Sequence, residues 1–235
     1  MLINKIRLLV QAFSFLILTY GGRIGINLGY ALPCFACPYV AGCGGYCFLM
    51  FLQRVGIFGI AAYDRIFTYI GLQNLLWFLI FAVSAIILSK FWCGWICPFG
   101  SLLDALSGLR KKMGIREIEF SWTVRTMIKP IKYIFLAVIL VVPLLIAFLG
   151  LSSDFYILFC KICPARPIMP IFAGDIRRFG LEYSNWSTLI ISIVSVSFAA
   201  ITIVGSFFKD RFFCMVCPML PLIHLFNKLS PVRFV

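Results

Sequence analysis

Ten cysteines in a chain of 235 residues fall into five close pairs, Cys34/Cys37, Cys43/Cys47, Cys93/Cys97, Cys160/Cys163 and Cys214/Cys217. Two or three residues between thiols let both sulfurs turn toward one centre, and two such pairs make the Cys₄ set that a 4Fe-4S cluster uses. Four of the pairs end in Cys-Pro, at Pro38, Pro98, Pro164 and Pro218. Proline suits the first position of a helix, where its missing N–H costs nothing. Cys-Pro therefore places a sulfur at a helix N-terminus, where the partial positive charge and free N–H groups stabilise an anionic cluster.

Other uses of the cysteines are weaker. Cys₄ also binds structural zinc, but such sites usually organise a small soluble fold, and outward-facing pairs could oxidise to disulfides. Small buried hydrophobes would not pair in this way. A single histidine, His224, and the absence of C-x-x-C-H exclude internally bis-His-ligated and covalently attached haem. His224 could protonate a quinone at the inner face, although capping or a plain hydrogen bond is the commoner use.

The elements that position these pairs read as membrane helices. The chain is 63% hydrophobic with a mean hydropathy of +1.05 and 12% charged residues, against about 45–50% apolar and 25% charged in soluble domains. Four apolar runs, 8–20 (extendable toward 32), 72–89, 134–151 and 186–208, approach the roughly 20 residues that a span needs. The fold class predicted is an all-α integral membrane protein of about four transmembrane helices with re-entrant or interfacial helices, a single membrane domain over 1–235. The start of the chain, Lys5 and Arg7 before an apolar run, lacks a convincing small-residue cleavage site and reads as an anchor. Phe48 to Tyr63, short and carrying Gln53 and Arg54, reads as re-entrant or interfacial.

Charge sets the sides. With both termini cytoplasmic, the inner segments 1–7, 90–133 and 209–235 carry twice as many Lys and Arg as the outer segments 21–70 and 152–185, which satisfies the positive-inside rule for a multi-pass protein of the cytoplasmic membrane. The net charge of +13 is thus a topology signal, and no basic groove points to nucleic acid. The apolar positions Phe99, Leu102, Leu103, Leu106 and Leu109 predict an amphipathic helix whose Arg110 to Lys112 end meets lipid phosphates. Pro143 should kink the third run. Lipid packing and interfacial belts account for the 25 phenylalanines and five tryptophans.

Because a cysteine segment follows each span, parity puts Cys93, Cys97, Cys214 and Cys217 together inside. Cys43-Gly-Gly-Tyr-Cys47 parallels Cys93-Gly-Trp-Ile-Cys97, and each is later matched by a C-x-x-C-Pro, so halves 1–115 and 116–235 would form an inverted repeat. By that symmetry Cys43, Cys47, Cys160 and Cys163 hold the outer cluster. Cys34 and Cys37 are then left for a disulfide, for part of a third cluster shared with a partner chain, or for a redox dithiol; the choice of Cys34 and Cys37 as outer ligands stays open.

The segment Phe91-Trp-Cys-Gly-Trp-Ile-Cys-Pro-Phe-Gly100, with Cys160-Lys-Ile-Cys-Pro164 and Cys214-Met-Val-Cys-Pro218, resembles the membrane-bound polyferredoxin family over roughly residues 70–225. That family includes the quinol-dehydrogenase membrane component of periplasmic nitrate reductase and the membrane half of the nitrous-oxide reductase regulator. The 235 residues lack the soluble C-x-x-C-x-x-C-x-x-x-C-Pro array of some members. The resemblance implies a membrane electron carrier with 4Fe-4S clusters, two expected and a third open, that relays electrons between a quinone pool or other donor and redox partner subunits. It would act as the electron-transfer subunit of an oxidoreductase complex rather than as a stand-alone enzyme. A cluster-binding redox or iron sensor, or an assembly factor without electron turnover, is the alternative.

Overall fold

The computed structural model describes residues 2–28, 37, 39–40, 42–61, 69–149, 157–174 and 185–227. Cys34 and Pro38 lie outside them. Among the described residues the chain is all helical: α1 (Leu2–Tyr20), α2 (Phe48–Ala61), α3 (Tyr69–Phe91), α4 (Pro98–Lys112), α5 (Trp122–Ile128), α6 (Ile131–Leu149), α7 (Leu158–Ile162), α8 (Ala165–Phe172), α9 (Trp186–Phe208), α10 (Phe212–Val216) and α11 (Met219–Asn227). A π-helical turn, Trp92–Ile96, joins α3 to α4, and such widened turns occur frequently at functional sites.

The four expected spans are met in part. Among the described residues two helical stretches, Trp122–Ile146 and Trp186–Phe208, are long and apolar enough to cross a membrane, and Leu72–Leu88 is a shorter apolar helix. The segment expected as the first span lies in α1, whose first half is interrupted by Lys5, Arg7 and Gln11, and Gln11 is buried against protein.

In α9 the usual amphipathic pattern is reversed. Small and hydroxylic residues, Ser192, Ser195, Ala199, Thr202 and Ser206, face inward, while Ile190, Val194, Ile201 and Val204 are exposed. Small inward residues let backbones approach closely, the arrangement of helices packed in lipid. The helix starts cleanly because Asn185 and Thr188 cap its first turn reciprocally. Pro143 lies inside α6.

The helix contacts come in matched sets. α2 packs on α6 as α4 packs on α9; α7 meets α9 as α10 meets α6; α8 meets α9 as α11 meets α6. The expected re-entrant or interfacial segment starts inside the protein: Phe48, Leu49, Met50 and Phe51 at the start of α2 are all buried in the central core, while Arg54 is exposed.

α4 also differs from expectation at its end. Lys111 faces outward, but Arg110 is only 1% exposed and donates to Asp210 Oδ1 at 2.7 Å and to the Phe208 carbonyl at 2.7 Å. Instead of meeting lipid phosphates, this guanidinium ties the end of α9 to α4. The cause is local: α9 ends with Phe208, its last carbonyls need donors, and Asp210 follows two residues on.

α1 spaces the two cysteine regions. Near its start, Arg7 and Gln11 donate to the Gly94 carbonyl in the π-helical turn. Toward its end, Leu18 O accepts from Gly44 N at 3.0 Å, and the Tyr20 hydroxyl donates to the Phe172 carbonyl. Gly44 is required there, because a Cβ would sit 2.3 Å from the Ile17 carbonyl oxygen. Seven residues of helix between Gln11 and Leu18 separate these anchor points by about 10 Å.

Candidate metal centre

Three cysteine-bearing segments are built in the same way. The first cysteine of a pair lies in a short helix or turn, the second closes it, and a new helix starts at once: Cys93 in the π-helical turn with Cys97 before α4, Cys160 in α7 with Cys163 before α8, and Cys214 in α10 with Cys217 before α11. Proline at the next position has no N–H, so the sulfur accepts from the amides beyond it. Cys97 Sγ accepts from Gly100 N at 3.4 Å. Ala165 and Arg166 amides serve Cys163, Met219 serves Cys217, Tyr39 serves Cys37, and Leu49 and Met50 serve Cys47. This is N-terminal capping with sulfur in place of oxygen.

Two sets of four emerge. Cys37, Cys47, Cys160 and Cys163 line one small cavity with Tyr39, Phe159 and Ala165. Cys93 lies beside Cys97 and Cys214, and Cys217 beside Cys214, Cys93 and Cys97. The second set is the inner four of the parity reading. The first takes Cys37 where the repeat alignment takes Cys43: Cys43 is buried, turns its thiol to the Gly45 carbonyl at 3.0 Å, and does not line the cavity. All the described cysteines are free thiols.

The donor set fits an iron–sulfur cluster in chemistry. It is all sulfur, buried or half-buried, and supplied with N–H donors. The sulfurs border a shared space and do not meet at a point: among the described residues no three His, Cys, Asp or Glu converge as ligands of one ion do. Burial pushes the Cys37, Cys47 and Cys214 thiols up to about 12, with neighbouring cysteine charges adding to the rise. Without a metal these groups stay protonated at neutral pH, so iron must displace their protons when it binds.

Polar residues that the sequence reading did not credit complete both sites. Gln53, 1% exposed, donates to Cys160 Sγ at 3.2 Å while its oxygen accepts from Phe159 N at 3.2 Å. At the other site Asp104 accepts from Arg211 at 2.7 and 2.6 Å and from Gln11 at 2.7 Å, with Arg7 as a further donor. Burial pushes the Asp104 carboxyl up, but the Arg211 and Gln11 hydrogen bonds and the Arg211 and Arg7 charges outweigh it and hold it below the usual carboxylate range. The available signal was a polar residue in the apolar run of α2, at Gln53, and the single acidic residue of α4, at Asp104. His224 is exposed near the end of α11 and does not line the cysteine cavity.

The sites are neighbours in one core. Cys47 lies close enough to Cys97 for their charges to interact. A row of rings runs from Phe99, near Cys97, through Phe213, Phe198 and Phe135 to Phe159, next to Cys160, with centroids 5.2, 6.0, 6.1 and 6.0 Å apart. These phenylalanines therefore fill the space between sites, in addition to those that face outward.

A family model described as a 4Fe-4S binding domain matches residues 70–116 and 191–234. The two segments contain Cys93, Cys97, Cys214 and Cys217 and none of the other six cysteines. The match supports an iron–sulfur protein. No curated protein and no solved structure matches the chain.

Proposed function

We propose that the chain is a membrane-embedded electron-transfer protein that holds one 4Fe-4S cluster on Cys93, Cys97, Cys214 and Cys217 and a second on Cys37, Cys47, Cys160 and Cys163. A 4Fe-4S cluster supplies one-electron transfer at a potential set by charge, hydrogen bonds and burial. The chain supplies the thiolates, the amides that orient them and the apolar packing that keeps water from them. The observation that carries this reading is the grouping of eight cysteines into two sets of four, one buried and one partly buried. The matched helix contacts support an inverted repeat of halves 1–115 and 116–235 about these sites, and the exposed apolar faces of α1, α3, α6 and α9 support a four-span arrangement with both termini cytoplasmic. A quinone pool or a partner subunit serves as donor or acceptor, in keeping with the resemblance to membrane polyferredoxins; lipid is the solvent and nucleic acid is not a partner.

Two measurements test it. Iron and sulfide analysis with electron paramagnetic resonance, before and after dithionite, should show two reducible clusters per chain; a spectroscopically silent, zinc-loaded protein overturns the reading. In vesicles with a trapped oxidant and an impermeant external reductant, wild type should reduce the oxidant faster than Cys97→Ser and Cys163→Ser. Equal, leak-level rates in all three would remove the transmembrane relay and leave a carrier at one face or a sensor.

A further inference from the structure

Arg211 holds the only non-glycine positive φ among the described residues, φ 54° and ψ 40°, three residues before Cys214. A left-handed turn is ordinarily given to glycine, and an arginine there costs of order 1 kcal/mol in backbone energy. Such outliers persist where the surroundings fix them, and they cluster at functional sites. Here the guanidinium forks onto both oxygens of Asp104, at 2.7 and 2.6 Å, and donates to the Gly94 carbonyl at 3.1 Å, next to Cys93. Arg7 shares the same carboxylate and the same carbonyl. The group therefore carries two cations, Arg211 and Arg7, and one anion, Asp104.

We propose that Arg211 is a positioning residue that raises the reduction potential of the inner site, its charge fixed by Asp104 and Gly94 beside Cys93, Cys97 and Cys214. The inference rests on the iron–sulfur reading above. One-electron reduction forms and breaks no bond; it adds one negative charge to whatever the four thiolates hold. A fixed cation bonded to the backbone next to Cys93 and partly shielded from water favours the state with the extra charge. A side chain fixed at three points pays no reorganisation when the electron arrives.

The experiment is a potentiometric titration of the purified, cluster-loaded chain, followed by electron paramagnetic resonance. Arg211→Gly removes the charge while suiting the left-handed backbone. It should lower one of the two potentials by about a tenfold change in the one-electron equilibrium, 59 mV, and leave the other in place. Arg211→Lys, which keeps the charge, should recover most of that shift. Retained iron with both potentials unmoved, or with both moved alike, overturns the inference. If Arg211→Gly loses iron, Arg211→Gln decides: retained iron with an inner potential below wild type supports the inference, and one unchanged or higher overturns it. Absence of iron from the wild type would instead be a failure of the proposed function, so the two are distinguished by iron content alone.

Discussion

Gln53 and Cys160, separated by 107 positions in sequence, meet through a hydrogen bond of 3.2 Å from a side-chain amide to a sulfur. The same amide's oxygen receives the Phe159 N–H, so one side chain from α2 both fixes α7 and polarises a thiol. Gln53→Leu would remove both bonds, and a third to the Leu49 carbonyl, and leave the buried Phe159 N–H unpaired, at a cost of about 1–3 kcal/mol. Denaturant unfolding should register that loss. With a cluster bound, the outer site should become harder to reduce, since an N–H donor to sulfur stabilises the more negative state; an outer potential equal to wild type would show that Gln53 acts on the fold alone.

The cavity composition separates two neighbouring cysteines. Cys37→Ser should halve the iron bound per chain, whereas Cys43→Ser should leave it unchanged, because Cys43 does not line the space between Cys47, Cys160 and Cys163. Iron analysis of the two variants, purified side by side, reads the difference directly. The reverse result would restore the symmetric alignment of Cys43 with Cys93.

Gly44 bears on the same site through backbone. Its Cβ would stand 2.3 Å from the Ile17 carbonyl oxygen and 3.3 Å from Gly21 Cα, and neither atom belongs to a flexible side chain. Gly44→Ala should destabilise the chain by more than about 2 kcal/mol and reduce outer-site iron with it. Gly108→Ala, at a position with open space around it, should be neutral or slightly stabilising, since helix propensity favours alanine; thermal unfolding compares the pair.

Acid should loosen the α4–α9 junction. Burial pushes Asp210 up, but hydrogen bonds from Lys111 and Ser107 and the charges of Lys111 and Arg110 outweigh it, and the carboxyl is held below its usual range. A depressed folded value means that the stabilisation is complete above the unfolded value, about 4, and is lost as pH falls through the folded one. Unfolding midpoints from pH 7 to 3 should therefore drop below about pH 4 in wild type. Asp210→Asn should be less stable at pH 7, because the buried Arg110 loses its closest anionic partner, and its acid dependence should be shallower.

What the sequence disclosed was local. Cysteine spacing and the following prolines determine where each sulfur sits relative to the next helix, and the order of segments groups Cys93, Cys97, Cys214 and Cys217, which lie beside one another in the fold. What it withheld depended on distant parts of the chain. Cys37 and Cys43 are equally plausible by spacing, and only the docking of α7 and α8 distinguishes them. Gln53 read as a polar blemish in an apolar helix because its partner lies over a hundred residues away. Arg110 read as a lipid-facing charge because a helical pattern places it next to Lys111, while the carbonyl and carboxylate that bury it come from the end of α9. Arg211 gave no sign, since a left-handed backbone is not written in an arginine. The four-span expectation counted apolar runs, and the one in α1 is interrupted by Gln11, which the Gly94 carbonyl and Asp104 hold against protein, whereas Trp122–Ile146 and Trp186–Phe208 are long and apolar enough.

The ring row from Phe99 to Phe159 has an electrical consequence. Phenylalanine can neither bind nor release a proton, so on the proposed function a charge that moves between the two cysteine sets moves without a compensating ion. Such a step is electrogenic and responds to membrane voltage, at about 2.3 kcal/mol per 100 mV for a complete crossing. Because Cys47 and Cys97 sit within electrostatic reach of each other, only a fraction of the voltage falls between the sets. The remainder falls between each set and its own face, so most of the voltage sensitivity belongs to the exchanges with partners on either side.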